Sequence, residues 1–348
     1  MAAIVIVIAS AQITLRSEDP NGTALASVSN VLANTGGDLN QYRPLSAYLS
    51  IALQHLLNLG GPPFQAIRFV QCLLLFSLAY VFYAQLNIQS RFRLVGLGLL
   101  TGLVSLQLGT LGPNGFSMDR FFDAIFYLLA GILVLRNRER WIPALIAVAI
   151  ANRETAVFMP TLVLARYPLT SLLTSRQGKR ALLVAATAWS IAAVVYVGIH
   201  LYYGPHPRTE DSYWGAQMFL HSLSMPGQTA FFLAALNLLP VLALLLLKDA
   251  DAYLQRLFWM IVPLWFAVHI WAARLGEGLM YLAPLALIGV PLVLQGLQRR
   301  LAATEAEVEP GLRAQARWSA ARPAPAAPAA GRPARGDPSP GRTVARPG

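Results

Sequence analysis

Ala147 to Pro160 reads AVAIANRETAVFMP, where four polar residues, Asn152, Arg153, Glu154 and Thr155, interrupt an otherwise apolar run from Trp141 to Ala165. A charged side chain at the centre of a bilayer costs about 2.5 to 3.5 kcal/mol on insertion scales, so such groups face a protein interior or a water-filled cavity and mark a functional site. The pattern predicts two apolar half-helices meeting at a polar apex, since broken helices are tolerated at membrane depth where they line a cavity. Arg153 and Glu154 are sequence neighbours and point about 100° apart on a helix, so each needs a partner from another segment. The alternative is the turn of a helical hairpin wetted at the membrane surface.

The rest of the chain supports a membrane setting. Of its 348 residues, 56% are hydrophobic and 12% charged, and the mean hydropathy is +0.52; soluble domains carry about 25% charged residues. The net charge of +11 comes from basic residues spread through short loops, the positive-inside pattern, which excludes a nucleic-acid groove. Lys179 and Lys248 are the only lysines, and with an Ala/Pro/Arg-rich C-terminal segment this composition suggests a bacterial coding sequence rich in G and C. Cys72 is the single cysteine, so no disulfide or metal cluster can be argued from thiols.

Taken in order, residues 2 to 15 are apolar but short of the roughly 20 residues a span requires. They read as an uncleaved first helix; Ala9-Ser10-Ala11 resembles a cleavage site, but no Lys or Arg precedes the apolar region. Residues 16 to 44 form a polar outer loop with turn signals at Asp19-Pro20, Asn21-Gly22 and Gly36-Gly37. Leu45 to Gly60 carries Gln54, His55 and Asn58 at helical spacing and reads as an amphipathic helix in the interface. Spans are expected at Phe64–Leu86, Val95–Leu111, Phe121–Leu135, Ala181–Tyr203, Thr229–Leu247, Leu257–Ala272 and Leu279–Leu297. The predicted class is an all-α polytopic integral membrane protein of about eight to ten transmembrane helices, residues 1–300, followed by a disordered tail, 301–348, poor in bulky side chains.

The loops at 87–93, 136–140, 166–180, 248–256 and 298–300 hold thirteen basic residues, against five in the opposing loops. The first group is expected to be cytoplasmic, with the tail, in the plasma membrane of a bacterium. This holds if Trp141 to Ala165 enters and leaves on one side, which points its polar apex outward.

An outward apex faces the loop that carries Glu18 and Asp19, either of which is placed to act as a general base or to hold a divalent cation. Fixed guanidinium groups suit an anionic headgroup because arginine is planar, always charged and bidentate. Candidates are Arg43, Arg68, Arg153 and Arg274. Arg68, one turn into a span, has snorkelling to the interface as its alternative; Arg274 has an exposed pair with Glu277. Asp123 is the candidate partner for Arg153, or a helix cap. His200, His206 and His221 flank a further outer loop whose Tyr213 and Trp214 either stack on a sugar or sit at the headgroup level.

A first helix, an acidic loop, Tyr42-Arg43-Pro44-Leu45 opening an amphipathic helix, Arg120 to Asp123 (Arg-Phe-Phe-Asp) opening a span and Asn152 to Thr155 in the next together resemble the GT-C type membrane glycosyltransferases that use polyprenyl-phosphate sugars, and a group of uncharacterised bacterial membrane proteins related to them. The similarity covers roughly residues 1 to 165. It implies transfer of a sugar from a lipid-linked donor to an extracytoplasmic acceptor, with Asp19, or Glu18, as the catalytic acid residue of the first outer loop and Arg43, Arg68, Asp123, Asn152, Arg153, Glu154 and Arg274 around the substrate. A transporter or lipid flippase also accommodates a broken helix with buried charge, although no internal repeat links this break to a second one. A non-catalytic membrane subunit is the third class.

Overall fold

A computed structural model describes residues 1–16, 23–35, 42–58, 63–110, 118–205, 217, 220, 224, 238–272 and 278–320. The regular elements among them are all helical: α1 (Ala2–Arg16), α2 (Thr23–Ala33), α3 (Pro44–Leu56), α4 (Phe64–Gln85), α5 (Ser90–Thr110), α6 (Met118–Leu135), α7 (Ile142–Asn152), a 3-10 stretch (Glu154–Phe158), α8 (Pro160–Ala165), α9 (Leu169–Thr174), α10 (Arg176–Tyr203), α11 (Leu239–Leu246), α12 (Ala252–Ala272) and α13 (Val290–Ala320). The chain divides into two units, Met1–Arg300 and Leu301–Gly348. α13 continues through Leu301 to Ala320, a run rich in the helix formers Ala, Glu, Arg and Gln. Residues 321–348 lie outside the described residues.

Among the described residues three helices are long and apolar enough to cross a membrane: Phe64–Gln85, Arg176–Tyr203 and Leu279–Ala306. Their surroundings differ. The most apolar window of the last is 94% buried and that of Arg176–Tyr203 only 17%, so the former is central and the latter peripheral. The outer face of α10 presents Leu183, Val194, Val197, Leu201 and Tyr202, and α12 presents Trp259, Leu264 and Val268. Apolar area on this scale marks an interaction surface.

The centre packs through close approach of small residues. A Cβ on Gly131 of α6 would stand 2.7 Å from Phe82 Cε2 and 3.1 Å from Leu287 Cδ1, and one on Gly96 of α5 would stand 2.6 Å from Leu294 Cδ1. Leu285–Gly289, just before α13, is a π stretch; Pro291 cannot donate to the turn before it, and the buried Tyr83 hydroxyl donates to the Ala286 carbonyl at 3.0 Å.

Helix ends define the two poles of this unit. α4 and α6 both stop at an asparagine with positive φ, Asn87 at 59° and Asn137 at 57°, and each end is closed by paired bonds, Ile88 N to Tyr83 O with Asn87 N to Ala84 O, and Arg138 N to Leu133 O with Asn137 N to Val134 O. This is the Schellman pattern, in which a left-handed residue satisfies the last carbonyls. The basic loops that follow are joined to each other. Gln89 N–H donates to Gln298 Oε1 at 2.8 Å, Arg299 Nη1 to Asp249 O at 2.8 Å, Arg256 Nε to Ala165 O at 2.6 Å and Arg166 Nη1 to Val134 O at 2.5 Å. The loops grouped by charge in the sequence therefore meet at one end.

The run from Trp141 to Ala165 turns back on itself within this arrangement. Its entry, after Leu135, and its exit, at Arg166, lie at that same end, while Asn152 Nδ2 donates to the Asp119 carbonyl at the start of α6, 2.8 Å away. α7, the 3-10 stretch and α8 thus form a hairpin with its polar apex at the opposite pole. α3, which the chain also places there, has 13 residues, about 20 Å at 1.5 Å per residue, and is too short to cross a bilayer.

Candidate functional site

At the hairpin apex Arg153 is extended, with φ −163° and ψ 138°, and stands between α7 and the 3-10 stretch. Its backbone leaves the helix, and side chains from neighbouring helices take over the freed carbonyls: the Tyr127 hydroxyl donates to Thr155 O at 2.6 Å and Trp189 Nε1 to Val157 O at 2.9 Å. Irregular backbone inside an apolar protein requires such partners.

Four charged side chains meet at this break. Arg43, the residue before α3, places Nε 3.0 Å from Glu154 Oε2 and pairs Nη2 with Glu154 Oε1, a bidentate fork. Its Nη1 lies 3.2 Å from Asp119 Oδ2. Arg153 Nη1 approaches the same Asp119 oxygen at 3.6 Å. Asp119, in the first turn of α6, is thereby shared by two guanidinium groups. Side-chain exposure separates the members: Arg43 and Asp119 are 11% exposed and Arg153 3%, but Glu154 is 41% exposed.

Neighbouring residues hold these groups in place. Tyr42 donates its hydroxyl to Gly204 O at 2.9 Å and stacks on His200 at 4.0 Å between centroids, so the Tyr42-Arg43 pair ties α3 to the end of α10 on one side and to the hairpin on the other. Asp123 accepts from the Thr155 hydroxyl at 3.0 Å. The buried Arg153 Nε, Asp123 Oδ1 and Asn152 Oδ1 have no hydrogen-bond partner among the described residues; buried polar atoms are nearly always satisfied, so these are the atoms that a polar ligand or ordered water would complete.

Beside the charged cluster lies an apolar groove of about 470 Å³ between α3, α7 and α10, lined by Pro44, Leu45, Ala151, Val195, Ile199 and Tyr202 among others. Its size falls within the roughly 300 to 1,000 Å³ of ligand pockets.

Of the candidates read from sequence, Arg43, Arg153, Glu154, Asn152 and Asp123 come together here. Arg153, however, has Asp119 and not Asp123 as its ion-pair partner, because Asp123 lies one turn further into α6 and meets Thr155. Arg68 is fully buried with its guanidinium 3.8 Å from the Phe121 ring centroid, which replaces the snorkelling reading by burial against α6. Glu18, Asp19 and Arg274 lie outside the described residues, as do His206, His221, Tyr213 and Trp214. Among the described residues no group of three or more His, Cys, Asp or Glu is arranged to hold a metal ion.

Two members went unnoticed in the sequence. Asp119 reads as a helix-start acid, yet Asp119 and Asp123 are spaced i,i+4 and share a face, which was the available signal. His269 of α12 is buried, bonded through Nδ1 to Trp265 O at 2.7 Å and stacked on Trp265; Trp265 in turn meets Tyr127 edge-on at 5.6 Å. An aromatic wall thus backs the hairpin, and a lone histidine in an apolar helix gives no local sign of it.

No family model matches the chain, and neither the curated proteins nor the solved structures contain a match to it.

Proposed function

We propose that the chain is a polytopic integral membrane protein in which the basic-loop end faces the cytoplasm and the hairpin apex the outer side. Exposed apolar faces on α10 and α12 and the gathering of the basic loops at one pole support this reading. We further propose that it transfers a sugar from a polyprenyl-phosphate donor to an extracytoplasmic acceptor. The observation that carries the proposal is the juxtaposition of the Arg43–Asp119–Arg153–Glu154 cluster with an apolar groove: a lipid phosphate needs fixed guanidinium groups for its head and an apolar channel for its chain.

In this reading Arg43 and Arg153 hold the phosphate, and Asp19 accepts the acceptor's proton as its hydroxyl attacks the anomeric carbon, the sugar–phosphate bond breaking with both electrons to the phosphate. The test is twofold. Native mass spectrometry of the protein extracted with its own lipids should find a polyprenyl phosphate or its sugar adduct, lost in Arg153→Ala. Asp19→Ala should abolish sugar transfer while the thermal transition stays in place; bulk phospholipid alone in every variant, or transfer retained by Asp19→Ala, overturns the assignment.

A transporter or flippase is the second reading, favoured by the re-entrant hairpin itself, an element that alternating-access proteins use at their sites. Flux of labelled lipid across proteoliposomes without any sugar transfer would select it.

A further inference from the structure

The two carboxylates of the cluster are not equivalent. Asp119 is nearly buried and is engaged by both arginines. Glu154 is 41% exposed, pairs with Arg43, and starts a 3-10 stretch, whose hydrogen bonds are poorer than those of an α-helix and so yield more readily. The fork that Glu154 makes with Arg43 is also the geometry in which a guanidinium binds phosphate. Ala151, three residues before Glu154, and Pro44, next to Arg43, both line the apolar groove, so the fork stands beside it.

We propose that Glu154 is an internal placeholder anion: the phosphate of an incoming polyprenyl phosphate takes its position on Arg43, with the isoprenoid chain in the groove, and Glu154 swings out to water while Asp119 continues to hold both arginines. This rests on the donor reading above and adds an exchange step to it. Glu154 is the more exposed of the two carboxylates and pairs with one arginine, whereas departure of Asp119 would expose two buried cations. The empty site therefore never leaves Arg43 uncompensated.

The exchange makes a prediction opposite in sign to that of a structural strut. Titration of the detergent-solubilised full chain with polyprenyl phosphate, read by native mass spectrometry, should show Glu154→Gln binding about tenfold more tightly than the wild type, a factor equal to about 1.4 kcal/mol, and Arg43→Gln losing binding. In the wild type, hydrogen exchange of the amides from Glu154 to Phe158 should quicken when polyprenyl phosphate is added, a readout that needs no variant. Weaker or unchanged binding in Glu154→Gln, or exchange that slows, overturns the placeholder while leaving the donor reading standing. If neither wild type nor Glu154→Gln retains polyprenyl phosphate, or phosphatidylglycerol is held equally well, the donor reading falls and the exchange with it.

Discussion

At one pole of the Met1–Arg300 unit arginines reach backbone carbonyls near the surface; at the other they are buried and meet carboxylates. Arg166, Arg256 and Arg299 donate to the carbonyls of Val134, Ala165 and Asp249 at or beside helix ends, where a cation offsets the partial negative charge of the terminus. Arg43 and Arg153 instead share Asp119 where all three side chains are nearly buried. The first arrangement fastens helices together and tolerates loss of a member. The second concentrates paired charge where each member depends on the others, and removing one leaves a buried charge uncompensated. The same residue type is thus structural in one place and the material of a site in the other.

This contrast is best broken at the buried pole. Asp119→Ala should destabilise the protein by about 3 to 5 kcal/mol, the usual effect of orphaning a buried charge, read as the shift of the thermal transition in detergent; a change below that of the surface variants would show that the cluster is hydrated and the contrast unfounded. At the basic pole the largest effect belongs to packing, not charge. Gly178→Ala would place a Cβ 2.1 Å from Ser171 O and 2.5 Å from Leu172 Cα, backbone atoms that cannot step aside, and should cost about 3 kcal/mol. Arg256→Gln, which loses charged hydrogen bonds to Ala165 O and Arg166 O, should cost about 1.5 kcal/mol. Arg300→Gln should cost less than about 1 kcal/mol, since its bond to Asp249 is between side chains 52% and 25% exposed. Equal losses for Asp119→Ala and Arg300→Gln would erase the distinction between the poles.

What could be read in the sequence was whatever local pattern encodes. Apolar length placed α4, α6, α10 and α12 to within a few residues, and loop charge grouped the segments that hydrogen bonds join at the basic end. The interruption at Asn152 to Thr155 was visible because polar residues in an apolar run are costly. Pairings across the chain were not: Arg43 and Glu154 are 111 positions apart, and no periodicity reports on such a distance. Asp119 was overlooked because its position, just after the Pro113-Asn114-Gly115 turn signal, fits an ordinary helix start. Arg68 looked free to snorkel because the sequence does not reveal that Phe121 covers it.

The hairpin also changes how topology should be counted. Reporter tags inserted after Asn137 and after Tyr167 are expected in the same compartment, although a hydropathy plot draws a crossing between them. In the membrane reading proposed above, an even-for-odd miscount at this one place would invert every later span, so paired fusions at these two sites fix the parity of those that follow.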